Sequence, residues 1–130
     1  MIGFDTNVLV RYLIEDDPLQ SMQVSQLIEN NKSKPILISL LTIQETEWVL
    51  RTAYKLNKIA VIHVFKSLLE TFDVKIENEE VLEEALLEYE NTNADFNDCL
   101  MAVQYIHLHC ECMYTFDKKA ASLKSARLLT

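Results

Sequence analysis

The chain has 130 residues and a mass of 15.1 kDa, near the commonest size of a single domain, so we expect one hydrophobic core and no second domain. Hydrophobic residues make up 49% of the sequence and charged residues 25%, with one Gly and two Pro, which excludes a disordered or collagen-like chain. A formal net charge of −8 argues against a broad basic face for nucleic acid, although acids that converge on a cation would locally remove much of the repulsion of a phosphate backbone.

The cysteine content indicates the compartment. The three cysteines are an odd number, and the sequence shows no positively charged leader followed by an apolar stretch and a cleavage site. No apolar run approaches the roughly 20 residues that a bilayer crossing needs. We therefore expect reduced thiols, a cytoplasmic location and no insertion into a membrane.

The first half of the chain alternates predicted strands and helices. The apolar run Met1 to Phe4 predicts a strand, and a short helix is expected directly after Asp5. The segment "EDDPL" ends that helix, and apolar spacing from Leu19 predicts a second one. The β-branched run "PILIS" predicts a buried strand, and Thr42 is expected to open a helix through "IQETEWVLRTAYKL", whose helical partner is "KIAVIHVFKSLLETF".

The second half continues the alternation. A strand is predicted at "DVKIE", an acidic amphipathic helix at "NEEVLEEALLEYE", a buried helix at "DFNDCLMAVQYIHLHC", a strand at "CMYTF" and a terminal edge strand at "RLLT". Strands that alternate with helices favour parallel pairing and right-handed crossovers. The predicted fold class is therefore α/β, a three-layer sandwich with a central, mainly parallel sheet.

Four acids are expected at one edge of this sheet. Asp5 and Asp117 each follow an apolar strand, whereas Glu45 and Asp98 fall in the predicted first turn of a helix. Ligands of open parallel sheets gather where strands end and helices begin. Carboxylates crowded together repel unless a cation joins them, and an all-oxygen site suits Mg²⁺ or Mn²⁺ better than Zn²⁺. The chemistry that this predicts is phosphoryl transfer by metal-activated water.

The acids also have structural interpretations that the residues leave open, although Asp5, for which an Asx turn after the strand is the alternative, is the hardest to explain in this way. Thr42 and Glu45 fit a capping box, in which Glu45 satisfies a helix N-terminus. Asp95 and Asp98 fit a cap or a partner of a helix dipole, and Asp117 fits the cap of "KKAASL".

Two other patterns are assigned to structure rather than to chemistry. The run "HLHCEC" lacks the paired spacing of a zinc site, so a helix end and core cysteines are expected there. Four aromatic residues are expected to pack in the core instead of stacking on RNA, because they follow helical core spacing. They are Trp48, Tyr54, Phe65 and Phe72.

The motifs "DTNVLVRYLIEDDPLQ", "ISLLTIQETEWVLRTAY", "DFNDCLMA" and "TFDKKAASL" occur in this order and span nearly the whole chain. Together they resemble the PIN-domain nucleases, specifically the toxin ribonucleases of VapBC-type toxin-antitoxin pairs. The resemblance implies a single PIN domain over residues 1–130. It also implies that the catalytic and metal-binding quartet consists of Asp5, Glu45, Asp98 and Asp117, with Glu47 a bystander.

Other residues of these motifs are given supporting roles. Asp95 is expected as an additional ligand or as a residue behind the ligands, and Thr6, Asn7 and Thr115 as polar groups beside the quartet. Contacts to RNA phosphates are expected from the basic residues nearest the acids in sequence, although solvated surface charge is the open alternative. These residues are Arg11, Lys118 and Lys119.

The resemblance implies an Mg²⁺- or Mn²⁺-dependent endoribonuclease with an RNA substrate, acting as a toxin and neutralised by a cognate antitoxin. The apolar helices at "WVLRTAY" and "IAVIHVFKSLLETF" are expected to form a homodimer contact or a groove for the antitoxin. Two alternatives remain open. One is a catalytically silent PIN-like module that binds RNA or protein, and the other is a phosphohydrolase on a different doubly wound fold.

Overall fold

Parallel strands occur in both halves of the chain, which the computed structural model describes over all 130 residues. The chain divides into two compact units, unit 1 over Met1–Glu77 and unit 2 over Asn78–Thr130. All strand pairs are parallel, which confirms the predicted pairing. None of the helices combines the length and the apolar character that a membrane crossing requires.

Unit 1 holds a three-stranded sheet and four helices. The strands are β1 (Ile2–Gly3), β2 (Ile36–Ile38) and β3 (Val74–Ile76), and β2 lies between the other two. The first and third side chains of β2 and of β3 are buried, whereas neither residue of β1 is. The helices are α1 (Thr6–Leu13), α2 (Pro18–Asn30), α3 (Leu40–Thr52) and α4 (Lys58–Leu69).

Polar side chains fix where these helices begin. Asp5, Asp17, Ser39 and Asn57 each accept a hydrogen bond from the backbone N–H three residues ahead, which satisfies an otherwise unpaired donor. The start of α3 differs from the prediction. Because Ser39 is the cap, Thr42 lies inside the helix, and the predicted capping box between Thr42 and residue 45 is wrong.

The core of unit 1 is aliphatic with one central ring. Leu9, Ile38, Ile43, Leu50 and Phe65 are fully removed from solvent. Burial of each such side chain contributes about 1.5–3 kcal/mol before the entropy of ordering the chain is subtracted. This packing is what holds the first turn of α1 and the second turn of α3 in fixed positions.

Unit 2 consists of two helices, two strands and one short helical turn. Helices α5 (Glu79–Asn91) and α6 (Phe96–His107) pack on each other, and the rings of Tyr89 and Phe96 meet edge to face with centroids 5.5 Å apart. The remaining elements are β4 (Met113–Thr115), a 3₁₀ turn (Ala120–Ser122) and β5 (Ala126–Leu128). The predicted edge strand at the C-terminus is therefore confirmed, starting one residue earlier.

The segment "HLHCEC" ends a helix, as expected, but it does not supply core cysteines. Helix α6 stops at His107, and His109 adopts a left-handed backbone with φ of 68°. Cys110 is exposed and Cys112 is half-buried, so the expectation of core cysteines is wrong for Cys110. Cys99, inside α6, is the buried cysteine.

The aromatic residues predicted to pack in the core divide into two groups. Phe65 is buried and Tyr54 is half-buried, in line with the prediction. Trp48 is 59% exposed and Phe72 is 95% exposed, so the prediction is wrong for these two. Phe72 lies beyond the end of α4, where helical spacing no longer decides which way a side chain faces.

Candidate metal centre

Three aspartates of unit 2 converge on one point. Asp95, Asp98 and Asp117 each place a carboxylate oxygen within 4.8 Å of the other two. Asp95 is the residue that precedes α6, Asp98 lies in the first turn of α6, and Asp117 comes two residues after β4. The end of a strand and the start of a helix thus bring together side chains separated by about twenty residues of sequence.

Asp95 occupies a capping position without acting as a cap. Its backbone is extended, as in an ordinary N-cap, but its side chain accepts no hydrogen bond from the first turn of α6. Its carboxylate instead lies 3.5 Å from the ammonium nitrogen of Lys119. The capping interpretation is therefore wrong for Asp95, and its carboxylate belongs to the cluster.

Asp117 is held in place by the turn that follows it. Its Oδ1 accepts hydrogen bonds from the backbone N–H of Lys119 at 2.8 Å and of Ala120 at 3.4 Å, so the capping interpretation is confirmed. The backbone N–H of Asp117 donates to the Thr115 hydroxyl at 3.0 Å. Because these bonds use Oδ1, the other carboxylate oxygen remains available to a ligand. Thr115 therefore orients the loop on which Asp117 lies.

The electrostatics of the cluster favour an added positive charge. Partial burial raises the pKa of Asp98, and the carboxylates of Asp117 and Asp95 raise it further, while Lys119 acts in the opposite direction. Three carboxylates are balanced by one ammonium group. The ionised form of Asp98 is thus disfavoured in the protein alone, and a cation among the three oxygens would reverse that.

The acids predicted in unit 1 are held by local hydrogen bonds. Asp5 caps α1, where its Oδ1 accepts from the N–H of Val8 at 2.9 Å. Glu45 lies in the second turn of α3, not in the first as predicted, because α3 begins at Leu40. The Thr6 hydroxyl donates to the Glu45 carboxylate at 2.7 Å, which joins the start of α1 to α3. Asn7 and Asp5 line a cavity of about 280 Å³ between α1 and α2.

Arg11 is engaged within unit 1. Its guanidinium donates to Asp16 at 2.6 Å, to the Tyr54 hydroxyl at 2.8 Å and to Gln20 at 2.7 Å. The Tyr54 hydroxyl in turn donates to Asp16 at 2.8 Å, which closes a ring of hydrogen bonds. The bond to Tyr54 is the largest cause of a raised pKa at Arg11. This network ties α1, the α1–α2 loop and the end of α3 together.

The two predicted lysines differ in their surroundings. Lys119 pairs with Asp95, whereas Lys118 is exposed and forms no ion pair. Both line an open cavity of about 460 Å³ in unit 2, together with polar residues in and next to the α5–α6 loop. These residues are Asn91 at the end of α5 and Thr92 and Asn93 in the loop.

Sequence reasoning ranked one feature too low and missed another. Asp95 is an equal member of the aspartate cluster, and the signal was its position three residues before Asp98, which puts both near one helix start. Arg11 forms hydrogen bonds with Asp16 and Tyr54. These two residues are 38 positions apart in sequence, and no sequence pattern indicated that they meet.

The donor set of the cluster fits a hard divalent cation, since it offers carboxylate oxygen and neither imidazole nor thiolate. Ligands of open parallel sheets bind where strands end and helices begin, and the cluster occupies such a position in unit 2. The sequence matches the PIN domain family over residues 2–125, and the chain therefore belongs to that family. This membership confirms the predicted fold class, an α/β fold of the PIN type.

Solved structures give a more distant likeness. The chain is similar to the crystal structure of VapC20 from Mycobacterium tuberculosis, described as a toxin that cleaves the sarcin-ricin loop, with 16% sequence identity and a TM-score of 0.43. The likeness covers 94% of each chain. No curated protein matches the sequence.

Proposed function

We propose that this PIN-family chain is a metal-dependent endoribonuclease that acts in the cytoplasm as the toxin of a type II toxin-antitoxin pair. The observation that carries the proposal is the convergence of Asp95, Asp98 and Asp117 within 4.8 Å. Such a cluster disfavours its own ionisation unless a cation is present. Membership of the PIN family and the order of the four motifs support the assignment to RNA cleavage.

The proposed catalytic and metal-binding residues are Asp5 and Glu45 from unit 1 and Asp98 and Asp117 from unit 2, with Asp95 as an additional ligand. The assignment of both pairs to one reaction, and of residues 1–130 to one functional PIN domain, rests on the motif pattern. A bound Mg²⁺ or Mn²⁺ ion would supply a Lewis acid that activates water for attack on phosphorus and neutralises charge on the leaving oxygen.

The side chains around these acids set their orientation. The Thr6 hydroxyl fixes the carboxylate of Glu45, and the two N–H groups after Asp117 fix one oxygen of that residue. Held in this way, carboxylates lose little freedom when a ligand binds, which is the condition for effective positioning. Lys118 and Lys119 are proposed to contact phosphates of the RNA through the cavity that they line.

Amide substitution tests the unit 2 acids. We expect Asp98→Asn and Asp117→Asn to lower cleavage of an RNA oligonucleotide in Mg²⁺ or Mn²⁺ by at least about 100-fold, because each removes a charge aimed at the cation. Glu83→Gln is the matched control, since it removes an exposed carboxylate of the same unit. Circular dichroism verifies that all variants fold. Equal cleavage by the wild type and Asp98→Asn would reject the assignment.

The unit 1 acids need a separate test. If they serve the same reaction, Asp5→Asn and Glu45→Gln also abolish cleavage while the RNA affinity measured without divalent cation stays within a few-fold of the wild type. Thr6→Val should give a partial loss, since it frees the carboxylate of Glu45 without removing it. RNA that binds tightly but is never cut by the wild type would favour the silent binding module.

The apolar surface of α3 and α4 supports a proposed homodimer. Leu41 and Trp48 are seven residues apart and share a helix face, and both are exposed, as is Ile59 at the start of α4. Trp48→Glu should shift the protein to a monomer in light scattering, whereas Phe72→Glu should not.

For the antitoxin, coexpression of the neighbouring reading frame should restore growth that the toxin alone arrests.

A further inference from the structure

An unpartnered aromatic strip leads directly into the aspartate cluster. Tyr114 lies on β4 and Phe116 two residues later, one residue before Asp117. Tyr114 is 62% exposed and Phe116 is 79% exposed. Neither ring packs against another aromatic ring of the chain. Burying such rings is worth more than burying most side chains, so two rings left exposed on β4 and just after it point to a ligand.

The alternation along β4 shows that the exposure follows from the strand itself. Met113 is buried and Thr115 is half-buried, while the residues between and after them face solvent. Successive side chains of a strand point to opposite faces, so Met113 anchors the strand in unit 2 and leaves Tyr114 outside. Hydrogen bonds from the neighbouring chain segment hold this arrangement, since the N–H of Leu129, just after β5, donates to the carbonyl of Thr115 at 2.8 Å.

A positive charge stands beside the strip. Arg127 on β5 is the direct partner of Tyr114 in the parallel register, so the two side chains project on the same face. Arg127 is exposed and forms no ion pair. Lys118, directly after Asp117, is also exposed and forms no ion pair. In a chain of net charge −8, two unpaired cations that flank two open aromatic rings form a distinct surface.

We propose that Tyr114 and Phe116 form a stacking platform for unpaired bases of single-stranded RNA, with Arg127 contacting the RNA backbone. The proposal deepens the nuclease function and rests on it. Exposed aromatic rings with neighbouring cations are what unpaired bases and phosphates bind, and the rings lie on the segment that delivers Asp117. RNA is favoured over a protein partner because the strip combines ring faces with positive charge and continues into the cluster proposed for phosphodiester cleavage.

Binding without cleavage tests the platform. The affinity of the full-length protein for a fluorescent single-stranded RNA oligonucleotide is measured by anisotropy in EDTA, where cleavage is absent. We expect Phe116→Ala and Tyr114→Ala each to weaken binding by about 5- to 150-fold, the cost of losing one base–ring stacking contact. Phe116→Trp should bind within about 3-fold of the wild type. Phe116→Leu should bind as poorly as alanine, because it keeps apolar area and loses the ring face.

Two controls separate stacking from other effects. Phe72→Ala removes a ring of unit 1 that is even more exposed than Phe116, and it should leave RNA affinity unchanged. Arg127→Ala should reduce the slope of log affinity against log salt by about 0.7, the value of one phosphate contact on a single strand, whereas Lys34→Ala should not.

The outcomes distinguish this inference from the function on which it rests. If the wild type cleaves RNA and the alanine variants bind it normally, the platform is rejected and the nuclease stands. If those variants instead lose dimerisation in light scattering or inhibition by the antitoxin, the strip is a protein contact. If the wild type neither binds nor cleaves RNA, both proposals fail.

Discussion

The carboxylates of the two units differ in how well they are satisfied. In unit 1, Asp16 shares a closed ring of hydrogen bonds with Arg11 and Tyr54, and the buried Glu47 pairs with Arg51 at 2.9 Å. In unit 2, three aspartates crowd together and a single lysine lies against one of them. The first arrangement stabilises the fold, whereas the second is a source of repulsion that the fold tolerates.

This difference separates two structural acids of unit 1, Asp16 and Glu47, from the aspartate cluster of unit 2. A carboxylate that already has a donor on each side gains little from an added cation and loses stability when its partner is removed. A carboxylate among like charges gains from a cation and loses little stability, or even becomes more stable, when it is neutralised. Removing a partner of Asp16 or Glu47 should therefore lower stability, whereas neutralising an acid of the cluster should not.

The largest effect is expected at the ion pair of Glu47. Arg51→Met leaves a carboxylate that is only 3% exposed without its guanidinium partner, and we expect a loss of about 3 kcal/mol in the free energy of unfolding. Lys32→Met is the control, because the Lys32–Glu29 pair is exposed and should contribute below about 0.5 kcal/mol. Urea denaturation measures both. Similar losses in the two variants would contradict a structural role for Glu47.

A smaller loss is expected in the hydrogen-bond ring of Arg11. Tyr54→Phe removes the hydroxyl that accepts from Arg11 and donates to Asp16, and it should lower the free energy of unfolding by about 1–2 kcal/mol. Tyr12→Phe should change it little, because the Tyr12 ring packs against Phe4 and its hydroxyl makes no hydrogen bond. If the two variants melt at the same temperature, the hydrogen bonds among Arg11, Asp16 and Tyr54 do not stabilise the fold.

Much of this contrast could be predicted from the sequence. Asp98 and Asp117 were expected together, since an acid after a strand and an acid at a helix start meet at one sheet edge by topology alone. The parallel pairing of the strands followed from their alternation with helices. These features depend on local pattern and on chain connectivity, which the sequence contains.

Other features depend on competition between neighbours, which the sequence does not resolve. Ser39 and Thr42 are both good caps, and the helix begins after Ser39, with Leu40 and Ile43 of its first turn buried. The exposure of Trp48 depends on what packs over α3, and helical spacing does not report that.

Neutralising Asp98 should stabilise the metal-free protein. The raised pKa of Asp98 means that the folded state binds more protons than the unfolded state between the ordinary aspartate value and the raised one. Stability therefore falls as the pH rises through that window, and the loss is complete above the raised pKa. Asp98→Asn should remove this part of the pH dependence and melt higher than the wild type at neutral pH in EDTA. The dipole of α6 favours the charged form of Asp98, so it reduces this gain in stability.

Thermal melts from pH 3.5 to 8 check this expectation, with Glu83→Gln as the control for the loss of one surface charge. In Mg²⁺ or Mn²⁺ the order should reverse, because the wild type gains stability from a ligand that binds only the folded state and the variant does not. A variant that is less stable than the wild type in EDTA at every pH would place Asp98 among the structural acids.

The smallest effect is expected at Lys119, whose ammonium group is the only internal counter-charge of the cluster. Because it lies 3.5 Å from Asp95, a cation that binds the aspartates must displace it or share their charge with it. Lys119→Met should therefore tighten Mn²⁺ binding by up to about 5-fold, the equivalent of an exposed ion pair worth below 1 kcal/mol. Lys118→Met is the matched control, since Lys118 is exposed, adjacent and unpaired, and calorimetric titration measures the affinity of both. Weaker Mn²⁺ binding by Lys119→Met alone would mean that this lysine organises the three carboxylates instead of competing for them.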